Sequence, residues 1–214
     1  MLLEYKNARQ RERQEFEKDA IIFRQGEVAK YWYEVVSGHA RLCHYFGDGR
    51  RQVTHFPATG DVFGFEHGLR QFSAEALTDL VLIRHEPLDG LDSTPSDEKQ
   101  AQSQAVQRAL ETTERNLRLF SQPNACRRIG AFLLDFGNHS GAGDRIALPM
   151  SRQDLADHLG LTMHTVSRSI SQLVKRGMLA AESPTHLIIA DRPAFEEFVG
   201  VDWVEPDSHT RTSA

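Results

Sequence analysis

Residues 150–179 read MSRQDLADHLGLTMHTVSRSISQLVKRGML. Ser151 can cap a helix that runs through Ala156 to His158, with Leu155 and Leu159 on its inner face. Gly160 supplies the tight turn that ends this helix, and Thr162 caps a second one. On the second helix Val166, Ile170 and Leu173 recur at spacings of four and three, so they face inward. His164, Ser167, Arg168, Ser171 and Lys175 share the opposite face. Ala156 is small where the next helix must approach, Gly160 gives the sharp turn, and Val166 is a β-branched anchor. Two steeply crossing helices need that set, which is the pattern of a helix-turn-helix whose second helix reads DNA. One departure stands out: Ser169 occupies a place where an apolar residue is usual, and Ile170 is expected to take over its packing.

Charge supports a local footprint. The whole chain carries a formal net charge of −5, which argues against indiscriminate binding of nucleic acid. From Met150 to Ala214 six Arg and Lys stand against nine Asp and Glu. Yet Leu159 to Leu179 holds Arg168, Lys175 and Arg176 and no acid, and a field at a groove depends on charges within about 10 Å. After the second helix, GMLAAESPTHLIIADRPAFEEF (177–198) reads as strand, a turn at Ser183 and Pro184, strand, then a short helix. A β-hairpin in that place makes the motif a winged one.

Outward from this stretch the chain changes character. Residues 19 to about 86 are short β-branched and aromatic runs such as AIIFRQGE and YWYEVVSGHARLCHYF. They are separated by turn chemistry, with a hairpin signal at Asp48-Gly49, and the pattern predicts a jelly roll or barrel. PLDGLDSTPSD (87–97) is a breaker-rich connector. A long helix follows to about residue 120, on which Val106, Leu110, Thr113, Leu117 and Phe120 form one seam of period 3.5. That spacing lets two helices pack along each other. A further helix opens near Pro123 or Asn124, buries Ile129, Phe132 and Leu133, and is expected to close at Gly137. The implied divisions are an N-terminal extension (1–18), a β-roll (19–96), a dimerisation helix (97–121), a winged helix-turn-helix domain (122–205) and a polar tail (206–214).

Composition narrows the setting. No apolar run approaches the roughly 20 residues that span a bilayer, so no membrane association is expected. The N-terminal run lacks the apolar core of a signal peptide. The two cysteines, Cys43 and Cys126, do not make a disulfide framework and point to a reducing cytoplasm.

In combination these residues resemble the Crp/Fnr superfamily of bacterial transcription regulators, and its FixK/Fnr branch in particular. The resemblance runs from about residue 19 to 199. In the first domain it is carried by Gly26-Glu27, YEVVSGHARL (33–42), DGRRQVTHFPATGDVFGFE (48–66) and SAEAL (73–77). In the second it is carried by RRIGAFLLDF (127–136) and residues 150–173. It implies an α+β chain with a cyclic-nucleotide-binding-like β-roll, a long helix building a homodimer, and a winged helix-turn-helix. Such dimers bind palindromic promoter sites on double-stranded DNA and, as activators, recruit RNA polymerase. Arg168 is then expected to read a guanine edge, with Ser167 on the adjacent base or phosphate. Ser151, Arg152, Thr162, Thr165 and Lys175 are expected to place the helix on the DNA backbone.

Three departures limit the resemblance. Members that bind cyclic AMP use a Gly-Glu pair for the ribose and an Arg before Ser-Ala for the phosphate. Here Gly64-Phe65 and Phe72 stand in those places, with Arg70 near in sequence, and no cyclic-nucleotide response is expected. Oxygen-sensing members carry an N-terminal cysteine cluster; this chain has none, so no iron–sulfur centre, metal or other cofactor is expected. The third departure is His164, where the family most often has a glutamate that accepts from cytosine. An imidazole can instead donate to guanine N7 or O6. Two rival readings stay open. One is a metal-dependent activity on the roll, for which His55, Glu66, His67 and Glu75 lack tight ligand spacing. The other is an effector or redox signal acting through Cys43 or Cys126.

Overall fold

The computed structural model describes residues 12–86, 96–139, 141 and 143–200. The tail 206–214, most of the connector and the first eleven residues of the N-terminal extension lie outside them. The N-terminal half is two facing antiparallel sheets. One holds β1 (Glu12–Phe16), β8 (Leu80–His85), β3 (Trp32–Ser37) and β6 (Val62–Phe63), in that order. The other holds β2 (Ile21–Phe23), β7 (Ser73–Ala76), β4 (Ala40–Tyr45) and β5 (Arg51–His55). Alternate residues point inward, and Phe23, Tyr33, Val35, Leu42, Phe63, Leu80 and Leu82 make the core between the sheets. The roll starts earlier than residue 19: Glu12–Phe16 pairs with β8 from Glu12↔Arg84 to Phe16↔Leu80. The strongly charged ERQEF gave no alternation to announce an edge strand.

α1 (Ser96–Phe120) runs past the roll and presents two distinct faces. Ala105 and Leu119 are buried on one, and Ala105 packs with Trp32 and Val62 of the roll. Val106, Leu110, Thr113, Leu117 and Phe120 are all exposed on the other. The sequence seam is therefore not consumed by the chain's own roll.

α2 (Ala125–His139) is capped by Asn124, whose side chain accepts from the Arg127 amide at 3.0 Å. It does not close at Gly137. That glycine is inside the helix, and a Cβ there would meet the Gly143 carbonyl at 2.9 Å, so Gly137 marks a close approach. Next come β9 (Arg145–Ala147), α3 (Arg152–Leu159), α4 (Met163–Lys175), β10 (Leu179–Ala181), β11 (His186–Ile189) and α5 (Arg192–Val199). β9 completes a three-stranded wing sheet in the order β10-β11-β9. Ile129, Leu133, Leu155, Leu159, Val166, Leu173, Leu187 and Phe195 form the second core.

The two halves dock through α3 and α2. Phe56 of the roll meets Phe132 and His158 edge-on, with ring centroids 6.0 and 5.0 Å apart. His158 is buried, and its Nδ1 lies 3.0 Å from the Val53 carbonyl. A carbonyl only accepts, so Nδ1 carries the proton in the neutral ring. Burial pushes the imidazole down to about 4, against the partial support of that bond, with His55 pushing it down further.

The folded pKa lies below the unfolded one, so the contribution of His158 is complete above about pH 6.5 and is lost as pH falls towards 4. His39 and His55, also lowered by burial, act in the same direction, whereas Asp135, raised by burial, opposes them at the low end. Unfolding free energies measured across that window should fall by about 3 kcal/mol for the His158 share alone. His158→Gln should flatten the slope.

Candidate DNA-reading surface

α3 is set at its start by a reciprocal cap. Ser151 Oγ accepts from the Asp154 amide at 3.0 Å, and Asp154 accepts back from the Ser151 amide at 3.0 Å and hydroxyl at 2.6 Å. At its end Gly160 adopts φ 65°, the left-handed region in which a side chain would be strained, and its amide donates to the Ala156 carbonyl. Thr162 then caps α4 by accepting from the Thr165 amide at 3.1 Å. Ala156 and Val166 are both buried where the two helices cross. Ser169 and Ile170 are each only 5% exposed, and Ile170 belongs to the apolar core.

The exposed face of α4 holds Met163, His164, Ser167, Arg168, Ser171 and Lys175, with Thr162 exposed at its start and Thr165 half-buried beside it. His164, Ser167 and Arg168 thus occupy one continuous outer surface. Ser171 Oγ donates to the Ser167 carbonyl at 3.0 Å. No acid occupies the first turn of α4, so the positive end of its dipole is not neutralised there.

The expected backbone contacts divide. Lys175 is exposed and belongs to the same face. Thr162 and Thr165 join their hydroxyls at 2.9 Å, and the Ser151 hydroxyl is committed to the cap of α3. Arg152 departs most from expectation: its Nη2 donates to the Pro184 carbonyl at 2.6 Å, so its guanidinium holds the wing turn against α3. Ser183 Oγ closes that turn by accepting from the His186 amide at 3.0 Å. Met163 shares this face, although neither charge nor spacing singles it out. It follows the cap directly and is 52% exposed, and an unpaired apolar residue at the tip of a polar face was the signal.

The two thiols are built into packing. Cys43 is fully buried and its thiol is pushed up to about 11, chiefly by burial. Cys126 is half-buried, its thiol raised by burial, and its Sγ lies 3.8 Å from the Ser169 carbonyl. Neither environment favours the thiolate that oxidation requires. Among the described residues no group of three or more His, Cys, Asp or Glu could hold a metal ion.

A cavity of about 440 Å³ lies between the roll and α1, lined by residues including Leu42, His55, Phe63, Phe72 and Arg108. Phe72 and Arg108 both line it, and Arg70 is committed elsewhere. Arg70 is 3% exposed and donates to the Gly64 carbonyl and Glu66, each at 2.8 Å, and to the Tyr31 carbonyl. It also lies 4.1 Å over the Phe23 ring.

A β-roll joined by a long helix to a winged helix-turn-helix with an open reading face defines a sequence-specific DNA-binding transcription regulator. Comparison with known proteins agrees. Residues 127–198 match the Crp-like helix-turn-helix domain, and residues 13–88 match the cyclic nucleotide-binding domain. The nitrogen fixation regulation protein FixK of Azorhizobium caulinodans is 38% identical over 187 residues, spanning 84% of this chain and 75% of that one. The FixK of Rhizobium meliloti is 36% identical over 160 residues, 74% of each chain. The solved structure of FixK2 from Bradyrhizobium japonicum superposes with a TM-score of 0.71 at 31% identity, covering 87% of this chain and 96% of that one. The chain belongs to the Crp/Fnr family of transcription regulators and is FixK-like.

Lys175→Ala should lower the slope of log binding constant against log salt by about one unit. Arg152→Ala should leave that slope unchanged while lowering the thermal midpoint, because its guanidinium serves the wing.

Proposed function

We propose that this chain acts in the cytoplasm as a homodimer on palindromic promoter sites, as an activator that recruits RNA polymerase and does not respond to cyclic AMP. The observation that carries this reading is the pairing of two unoccupied faces. The polar face of α4 is open for a groove, and the apolar seam of α1 is open for a second copy. Val106, Leu110, Leu117 and Phe120 are between 41% and 65% exposed and together make an apolar line along one side of the helix. Thr113 continues the same line. Two-fold pairing of α1 would carry two α4 helices to successive half-sites on one face of a duplex.

On each half-site Arg168 reads a guanine through its O6 and N7, and Ser167 touches the adjacent base or phosphate. His164 takes the place of a family glutamate and changes the base pair read there. Met163 is placed beside it to meet a thymine methyl group, the apolar feature of the major groove. No helix among the described residues is long and apolar enough to cross a membrane.

Selection of bound sites from random DNA tests the whole reading: palindromic sites with half-sites about one helical turn apart are expected. Arg168→Ala should cost about 1–3 kcal/mol per contact and relax one position of each half-site. His164→Glu should shift the base selected at its own position; identical selected sites would show that His164 is only a neighbour of the groove. Leu110→Asp with Leu117→Asp should yield a folded monomer by sedimentation, with operator binding lost.

A further inference from the structure

Two arginines of the roll reach across to the helix-turn-helix. Arg41 on β4 donates through Nη1 to Asp154 Oδ1 at 3.1 Å, and Arg51 on β5 donates through Nη2 to the same oxygen at 2.8 Å. Arg51 also grips Asp157 Oδ2 with Nη2 at 2.6 Å and Nε at 2.8 Å. Behind them, Glu75 on β7 takes Arg41 at 2.6 and 2.9 Å and is itself held by the Tyr45 hydroxyl at 2.9 Å. Two guanidiniums thus face two carboxylates across the domain boundary, with the roll's own Glu75 behind them. Asp154 retains only 3% of its side-chain exposure there.

An apolar contact between the domains can slide, but charge-assisted guanidinium–carboxylate bonds, two of them from Arg51 to one Asp157 oxygen, hold in one register. The residues gripped are on α3, which carries α4 through the Ala156–Val166 crossing. While α3 is held, the reading face of α4 remains open. We infer that Arg41 and Arg51 are positioning residues for operator recognition, which set the direction in which the roll presents α4 relative to α1. The inference rests on α4 being the reading helix. Its consequence is that half-site spacing is fixed in part by side chains that need touch no DNA.

The test uses the full-length chain and the operator selected from random DNA, together with versions whose half-sites are one base pair closer or further apart. Arg51→Ala and Asp157→Asn should each weaken operator binding about tenfold, since orientation must then be fixed on binding. Both should narrow the preference for correct spacing, and the double variant should be no worse than either single one. Arg51→Lys should recover part of the loss. Affinity for non-specific DNA, and its salt slope, should not change. Hydrogen exchange at the α3 amides should rise in both single variants without DNA present, which reports on docking independently of base reading. If Arg168→Ala bound the operator as wild type while α3 exchange still rose in the clamp variants, the base-reading assignment would fail and the clamp would stand. Unchanged spacing preference, additive losses, or an equal loss on non-specific DNA would overturn the inference, the last by showing that Arg51 contacts phosphate itself. Should Arg51→Ala lower the thermal midpoint too far for binding work, Asp157→Asn and Arg51→Lys give the same readouts, and wild-type spacing preference in both would overturn it.

Discussion

A carboxylate taken almost wholly out of water must be answered by donors, and Asp154 is answered from three directions. The Ser151 amide and hydroxyl meet one oxygen, and Arg41 and Arg51 meet the other. Burial alone would raise its pKa, yet the Ser151 bonds and the two guanidiniums outweigh burial and hold it below the ordinary carboxylate value. One side chain therefore starts α3, bonds two arginines at the buried edge and joins the roll to the DNA-reading domain. Removing it would undo the helix start and weaken the domain contact together, leaving Arg41 with Glu75 alone and Arg51 with Asp157 alone.

The same logic accounts for Arg70 in the roll. Arg70 sits near the cavity but bonds inward, to two backbone carbonyls and to Glu66. A Cβ at Gly64 would come within 3.0 Å of Arg70 Nη1, so the glycine and the buried cation are fitted to one another. The cavity is left with Phe72 as a wall. The sheets themselves pack on apolar residues such as Phe23, Val35 and Leu82.

Local patterns were legible where the physics is local. Caps at Ser151 and Thr162, the left-handed turn at Gly160 and the crossing of Ala156 with Val166 depend on residues a few positions apart, and spacing states them. The seam on α1 was legible for the same reason. Features that depend on distant partners were not. β1 and β9 are strands only because β8 and β11 lie beside them. Gly137 resembles a helix end but is a close approach to Gly143. Arg152 resembles a phosphate contact but bonds the Pro184 carbonyl, and Met163 gains meaning only from being exposed at the tip of α4.

The sequence by itself determined the class of molecule, the order of its domains and the face of α4 that is free to read. Hydrophobic periodicity and capping chemistry are short-range, so one chain read in order contains them. Only the tertiary structure decided how the two domains are joined. The contacts of Arg41 and Arg51 with Asp154 and Asp157 span more than a hundred residues. Ion pairing at such a distance has no spacing rule, because it depends on where folding brings each charge and how much water it removes.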